Sequence, residues 1–261
     1  MKPQSQKKER ADVLLVEQGL AASRPRAQAL IMAGKVFAED KRIDKPGQRL
    51  ERGLALRVKG QDHPWVSRGG LKLAGGLDRF GIDPSGLNCL DVGASTGGFT
   101  DVLLSRGAAR VYAVDVGHGQ LAWKLRQDPR VTVLERVNAR YLDSAQVPEP
   151  IDFLVCDASF IGLETLLPAP LALCQTGARL IALIKPQFEV GKGEVGKGGV
   201  VRDPALHQVV CARIEGWLNA QAGWQVLGLC DSPITGPDGN KEFLIAAVRG
   251  GVAGHSIEEV D

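Results

Sequence analysis

The fourteen residues Leu87–Thr100 (LNCLDVGASTGGFT) admit few folds. An apolar run ends on Asp91, glycines follow at Gly93, Gly97 and Gly98, and a helix-forming stretch begins directly after them. Strand, glycine turn and helix start together suit a ligand, because glycine lets the main chain approach closely and helix N–H groups then face the bound molecule. A phosphate-cradling loop needs Gly-Lys-Ser/Thr at its end, and here Phe99 follows Gly98. A dinucleotide turn needs a middle glycine, and Ser95 stands in that place. Two common nucleotide-binding turns are thereby excluded.

Apolar runs alternate with helical patterns from residue 71 onward. Strands are expected at Leu87–Asp91, Arg110–Asp115, Val131–Glu135, Phe153–Asp157, Arg179–Ile184, Gln225–Cys230 and Glu242–Arg249. Helices are expected at Leu71–Phe80, Gly98–Arg106, Gly119–Gln127, Leu163–Leu173 and Pro204–Gln221. That alternation implies an α/β domain over residues 71–250, with a mainly parallel seven-stranded sheet covered on both faces. The last two strands flank the helix-free segment Ile234–Asn240 and are expected as an antiparallel hairpin at one sheet edge.

Charge divides the chain. Residues 1–60 hold 14 Lys and Arg against 7 Asp and Glu, and the rest hold 18 against 23. A basic module joined to a mildly acidic body suggests a polyanion partner. Residues 1–9 read as a disordered tail and 10–60 as a small α+β domain. Its first helix, over 10–20, should turn Val13, Leu14 and Leu15 inward. Ser23 should cap a second helix, with Pro25 in its first turn, Ala27, Leu30 and Ile31 on its inner face, and Gly34 as its stop. Residues 61–70 read as a linker, broken by Pro64 and the Gly69–Gly70 pair and anchored by Trp65. Residues 251–261 form a second tail. The five cysteines are odd in number, widely spaced and without a C-x-x-C pair, so neither a metal site nor a disulfide framework is expected. No apolar run is long enough to span a bilayer and no apolar signal-peptide core follows Met1–Arg10, so a cytoplasmic protein without a membrane role is expected.

Residues 10–60 resemble the S4-type RNA-binding domain, on the matches Arg10–Asp12, Leu14, Gly19–Leu20, Ser23–Arg24, Arg26–Ala27 and Ala29–Val36. The resemblance implies RNA contact through Arg10, Ser23, Arg24, Arg26 and Lys35. The Asp-x-Gly-x-x-x-Gly-Gly pattern at Asp91, Gly93, Gly97 and Gly98 resembles the first motif of the Rossmann-like class I methyltransferases, whose ligand is S-adenosylmethionine. In that reading Gly93, Ser95, Gly97, Gly98 and Phe99 form the turn beside the cofactor's amino-acid end, and Asp91 lies near its ammonium. Asp115, closing the next strand, is placed to accept from both ribose hydroxyls. Asn138 faces the adenine or serves the turn.

Lys72, Asp157, Lys185 and Glu242 each open a helix or end or open a strand. From Trp65 onward the chain resembles the FtsJ-type RNA ribose 2′-O-methyltransferases, which carry a Lys-Asp-Lys-Glu tetrad matching those four positions. The whole chain is similar to the TlyA family, some of whose members carry a hemolysin name, on Val66–Leu73, Asp91–Thr100, Asp157–Phe160 and Ile184–Glu189. The resemblance implies 2′-O-methylation of cytidine in ribosomal RNA, with rRNA or ribosomal subunits as partner and Asp157 shared between catalysis and the cofactor. It also implies a basic residue before the x-Trp-Val step, where this chain has His63. Lys192 and Lys197, in the glycine-rich stretch Gly191–Gly199, are candidate phosphate contacts on a lid. A nucleobase methyltransferase is the nearest alternative, but no Pro-Cys nucleophile loop occurs and Asp157–Phe160 lacks the paired prolines of amine methylation. A non-catalytic RNA-binding or assembly factor would have no use for the tetrad.

Overall fold

The computed structural model describes residues 8–21, 23–39, 41–59, 63–191, 193–196, 198–236 and 239–250. In the N-terminal part, strand β1 (Lys8–Arg10) leads into helix α1 (Ala11–Glu17), and helix α2 (Arg24–Met32) follows. Four short strands complete the part: β2 (Val36–Ala38), β3 (Lys41–Arg42), β4 (Arg49–Glu51) and β5 (Leu56–Val58). They form a three-stranded sheet β3-β2-β5 and a separate β1-β4 ladder, both antiparallel. Leu14, Leu15, Ala27, Ile31, Val36, Ile43 and Leu50 make its core. Ser23 caps α2 as expected, its hydroxyl accepting the Arg26 N–H at 3.4 Å, and Gly34 follows the helix with φ +66°.

The larger part begins with helix α3 (Gly69–Phe80). The chain then runs through β6 (Asn88–Val92), α4 (Gly98–Ser105), β7 (Arg110–Asp115), α5 (Trp123–Arg126), β8 (Val131–Glu135), β9 (Ile151–Cys156), α6 (Leu163–Leu166) and α7 (Pro168–Ala172). It ends with β10 (Cys174–Ile184), α8 (Pro186–Glu189), α9 (Pro204–Asn219), β11 (Trp224–Asp231) and β12 (Phe243–Arg249). Strand order is β11-β12-β10-β9-β6-β7-β8. The five strands from β10 to β8 are parallel, and β12 inserts antiparallel between β10 and β11. The final pair is therefore the expected hairpin, with β11 at the edge.

Strands buried on both faces read as unbroken apolar runs because successive residues feed two cores. Along β9, Phe153 and Val155 pack with α3 and α4, whereas Leu154 and Cys156 pack with α6, α7 and α9. Cys89 and Cys156 are buried in these layers as small apolar side chains. The order of strand addition reverses between the parallel neighbours β6 and β9, from which β7 and β10 depart on opposite sides. Ligands bind at such a switch point, outside the carboxyl ends of the strands.

Several expectations need correction. Lys8 and Glu9 belong to β1 and not to a disordered tail. Helix α1 turns Ala11 and Asp12 inward with Leu14 and Leu15, and Val13 is only half-buried. The Gly69–Gly70 pair opens α3 and does not break it, since a Cβ on Gly70 would lie 2.8 Å from the Trp65 side chain. Helix Gly119–Gln127 contracts to four residues, and Leu163–Leu173 is split at Pro168.

Candidate active site

Three parts of the site converge above the switch point. The first is the glycine turn after β6. Gly93 adopts φ +83°, and a side chain there would also strike the Ala158 backbone at 2.8 Å. Gly98 starts α4 against the linker, where a Cβ would meet Gly70 N at 3.0 Å. Ser95 holds φ +48°, an uncommon conformation for a non-glycine residue. Gly97 faces Leu121 and Leu125 and lines neither of the cavities described below.

Asp91 lies beneath this turn with no exposed surface. Its Oδ2 accepts the Thr100 hydroxyl at 2.6 Å, and its Oδ1 has no hydrogen-bond partner. Burial pushes the carboxyl up to about 7, Thr100 pulls the other way, and the charges of Asp157 and Asp115 add to the rise. A buried carboxylate with a free oxygen suits a cationic ligand group.

The second segment is the end of β7. Asp115 accepts the Ser95 N–H at 2.8 Å on Oδ2 and the Gly117 N–H at 2.7 Å on Oδ1. Each carboxylate oxygen keeps a further lone pair. Asp115 lines a cavity of about 500 Å³ with Val116, Gly117, Asn138 and the segment 157–161. Asn138 serves the turn as well as the cavity, since its side chain accepts the Arg140 N–H at 3.1 Å. A paired acceptor beside an apolar wall fits a nucleoside sugar and base.

The third part of the site is the tetrad, assembled from several segments. Lys72 Nζ stands 2.6 Å from Glu242 Oε2 and 3.7 Å from Asp157 Oδ2. Asp157 Oδ1 is 2.6 Å from Lys185 Nζ, which also donates to the Asp157 carbonyl at 3.3 Å and to Ser159 Oγ at 3.0 Å. The four groups form one row of alternating charge, Glu242–Lys72–Asp157–Lys185, brought together from four distant stretches. The Glu242 carboxylate is fully buried, Lys72 and Lys185 are nearly so, and Asp157 is the most exposed of the four. Buried charges persist in such a place only when paired. A second cavity, of about 380 Å³, is lined by Lys72, Asp157, Lys185, Phe99 and Gly98, and shares Gly93, Ser95, Asp157 and Ser159 with the first. The Lys185 amine thus borders the smaller space, beside Asp157 and Ser159, which line both.

Sequence reasoning missed Ser159, Thr100 and Gly236. Gly236 lies against the Glu242 carboxylate with no room for a Cβ, and nothing in its local sequence signals that contact. Among the RNA candidates, Arg26 and Lys35 are exposed, while Ser23 spends its oxygen on the helix cap. Arg10 and Arg24 converge on buried Asp12. Arg10 donates to it at 2.9 and 3.0 Å, Arg24 at 3.3 Å and Gln28 at 2.9 Å. The Arg10 guanidinium holds the Asp12 carboxyl well below the usual range, against the opposing effect of burial. His63 stacks on Trp65 with centroids 6.4 Å apart. Lys192 and Lys197 lie outside the described residues.

A doubly wound sheet, a phosphate-free glycine turn and a Lys-Asp-Lys-Glu row define a class I methyltransferase. The chain belongs to the FtsJ-like methyltransferase family, whose model matches residues 65–249, and the S4 domain model matches residues 9–56. It is 49% identical over 241 residues to the Mycobacterium tuberculosis 16S/23S rRNA (cytidine-2′-O)-methyltransferase TlyA, covering 90% of this chain and 88% of that one. It is 37% identical to Brachyspira hyodysenteriae Hemolysin A, covering 90% of this chain and 98% of that one. A solved Streptococcus thermophilus structure with a provisional hemolysin name superposes with a TM-score of 0.72 at 42% identity, covering 94% of this chain and 90% of that one. Among the described residues, no helix is long and apolar enough to cross a membrane.

Proposed function

We propose that this chain is an S-adenosylmethionine-dependent 2′-O-methyltransferase acting on cytidine in ribosomal RNA. The observation that carries this reading is the Lys185 amine in the smaller cavity, paired at 2.6 Å with Asp157, which lines both cavities. The larger cavity takes the adenosyl part, with Asp115 on the ribose and Asn138 beside the base. Asp91, under Gly93 and Ser95, serves the ammonium end of the same ligand. Bound S-adenosylmethionine supplies an electrophilic methyl group on its sulfonium.

A ribose hydroxyl is a weak nucleophile at neutral pH. Lys185 orients it by a hydrogen bond and takes its proton, while Asp157 fixes the amine. Lys72, clamped by Glu242, holds the second Asp157 oxygen in place. Much of the acceleration comes from alignment, which can contribute roughly 7–11 kcal/mol in well-oriented systems. Arg10, Arg24, Arg26 and Lys35 deliver the RNA through its phosphates, contacts that position without reading sequence. Lys192 and Lys197 are proposed to add phosphate contacts beside the site. A ribosomal substrate places the enzyme in the cytoplasm.

The test uses labelled cofactor with naked rRNA, small subunits and large subunits, followed by alkaline hydrolysis. A 2′-O-methyl blocks cleavage at its 3′ phosphodiester, whereas a base methyl does not. Lys185→Ala should lower kcat by roughly 10²–10⁴, the usual worth of a positioned acid–base group, with cofactor binding retained. Near-normal turnover of that variant would refute the assignment.

A further inference from the structure

The ammonium of Lys185 has three N–H groups, and three oxygens already surround it. They are Asp157 Oδ1 at 2.6 Å, the Asp157 carbonyl at 3.3 Å and Ser159 Oγ at 3.0 Å. Two of them accept its hydrogen bonds and the third is its ion-pair partner, so the space around the amine is filled before any RNA arrives. A ribose hydroxyl can reach Nζ only if one of the three withdraws. Asp157 Oδ1 is charged and close, and the Asp157 carbonyl belongs to a main chain that Gly93 packs against. Ser159 differs from both. It is exposed, its hydroxyl swings on one side-chain torsion, and water can satisfy it elsewhere. It also lines both cavities, at the place where acceptor and methyl donor must meet.

We propose that the Ser159 hydroxyl holds the place of the ribose 2′-hydroxyl on Lys185 in the substrate-free enzyme and is displaced by it. The inference rests on the methyltransfer reading above. It follows from chemical likeness as well as position, since one alcohol is exchanged for another on the same amine. The ammonium keeps two N–H donors for the Asp157 oxygens and offers the third to the oxygen of the incoming hydroxyl. The incoming hydroxyl therefore accepts in the place that Ser159 leaves, and it can pass its own proton to the amine only after that ammonium has released one to solvent. Displacing Ser159 costs one hydrogen bond, so the serine weakens RNA binding and keeps the amine ordered between turnovers.

The experiment compares wild type, Ser159→Ala and Ser159→Thr on the ribosomal subunit that accepts methyl from wild type, at saturating cofactor. Ser159→Ala should lower KM for the subunit roughly three- to tenfold, the worth of one net hydrogen bond. Ser159→Thr, which keeps the hydroxyl, should restore the wild-type KM. A merely structural serine would leave KM alone and lower kcat. That result, or an unchanged KM in Ser159→Ala, would overturn the proposal. Failure of the wild type to methylate either subunit would overturn the underlying reading instead, and so the two failures are distinguishable.

Discussion

Replacing Asp91 by asparagine tests whether the carboxylate under the glycine turn is held at an energetic cost in the free enzyme. Asp91 has no exposed surface, one hydroxyl partner and a free Oδ1, and its carboxyl is pushed up to about 7 from 3.8. Between those two values the folded protein keeps a proton that the unfolded chain has lost. Stability therefore falls as pH rises from about 4 to about 7 and is flat above that. From pH 5 to pH 8 the fall spans two units, or about 3 kcal/mol at 1.36 kcal/mol per unit. Asparagine does not titrate, so Asp91→Asn lacks this slope whatever its absolute stability. The measurement is thermal unfolding of both proteins at pH 5, 6, 7 and 8 without cofactor. At about 2–4 °C per kcal/mol, the Tm difference between variant and wild type should grow by roughly 6–12 °C across that range. Titrating groups remote from Asp91 cancel in the difference, and the coupled Asp157 and Asp115 contribute less than the burial of Asp91 itself. Parallel Tm curves would refute the reasoning, because they would mean that Asp91 ionises in the folded protein as easily as in the unfolded one. The cost has a use if a ligand ammonium settles beside the free oxygen, since the bound cation then neutralises a charge already desolvated. Cofactor binding by Asp91→Asn should accordingly weaken at pH 8, where the wild-type carboxylate is ionised.

Three other substitutions probe separate parts of the site. Asp12→Asn adds positive charge to the basic face yet frees Arg10 and Arg24 from their common acceptor; RNA binding should weaken severalfold in a filter assay, whereas tighter binding would show that net charge alone matters. Asp115→Ala removes the acceptor pair of the larger cavity and should weaken cofactor binding by about 3–4 kcal/mol in calorimetry, two charge-assisted hydrogen bonds at the lower part of their range. Gly236→Ala forces a methyl group against the Glu242 carboxylate and should lower kcat at least tenfold with little change in cofactor affinity.

The sheet was legible because its strands are buried on both faces and leave apolar runs that no surface element would carry. The tetrad was legible for a related reason. Asp157 and Lys185 are charges that close apolar runs, and a parallel sheet sends such residues to its ligand-binding edge. What escaped was contact between distant residues. An amphipathic reading of α1 turns Asp12 outward, yet Arg10, Arg24 and Gln28 neutralise it and let it face inward. A Gly69–Gly70 pair looks like a break, yet the missing side chain of Gly70 makes room for Trp65 and lets α3 begin there. The stretch 119–127 has helical spacing, but Gly119 sits at φ +69° and donates to Glu135, so only the last four helical residues coil. Ser159 acts through a partner 26 residues away, outside any local window, and Gly236 is set against Glu242, six residues on, by a loop whose path no periodicity signals.

Charge explains why a second domain is needed. The tetrad pairs two ammonium groups with two carboxylates, so the row contributes no net attraction for a polyanion. Beyond residue 60 the chain carries 18 basic against 23 acidic residues, and the body as a whole repels a phosphate backbone. Most of the affinity for RNA then comes from the first 60 residues, which hold 14 basic against 7 acidic residues. That affinity releases counterions and falls with salt, whereas the local chemistry at Lys185 lies in a partly desolvated row that salt screens far less. Raising ionic strength should therefore raise KM for the ribosomal substrate steeply while leaving kcat at saturation nearly constant. A kcat that falls in step with binding would mean that phosphate contacts also hold the acceptor in its reactive position.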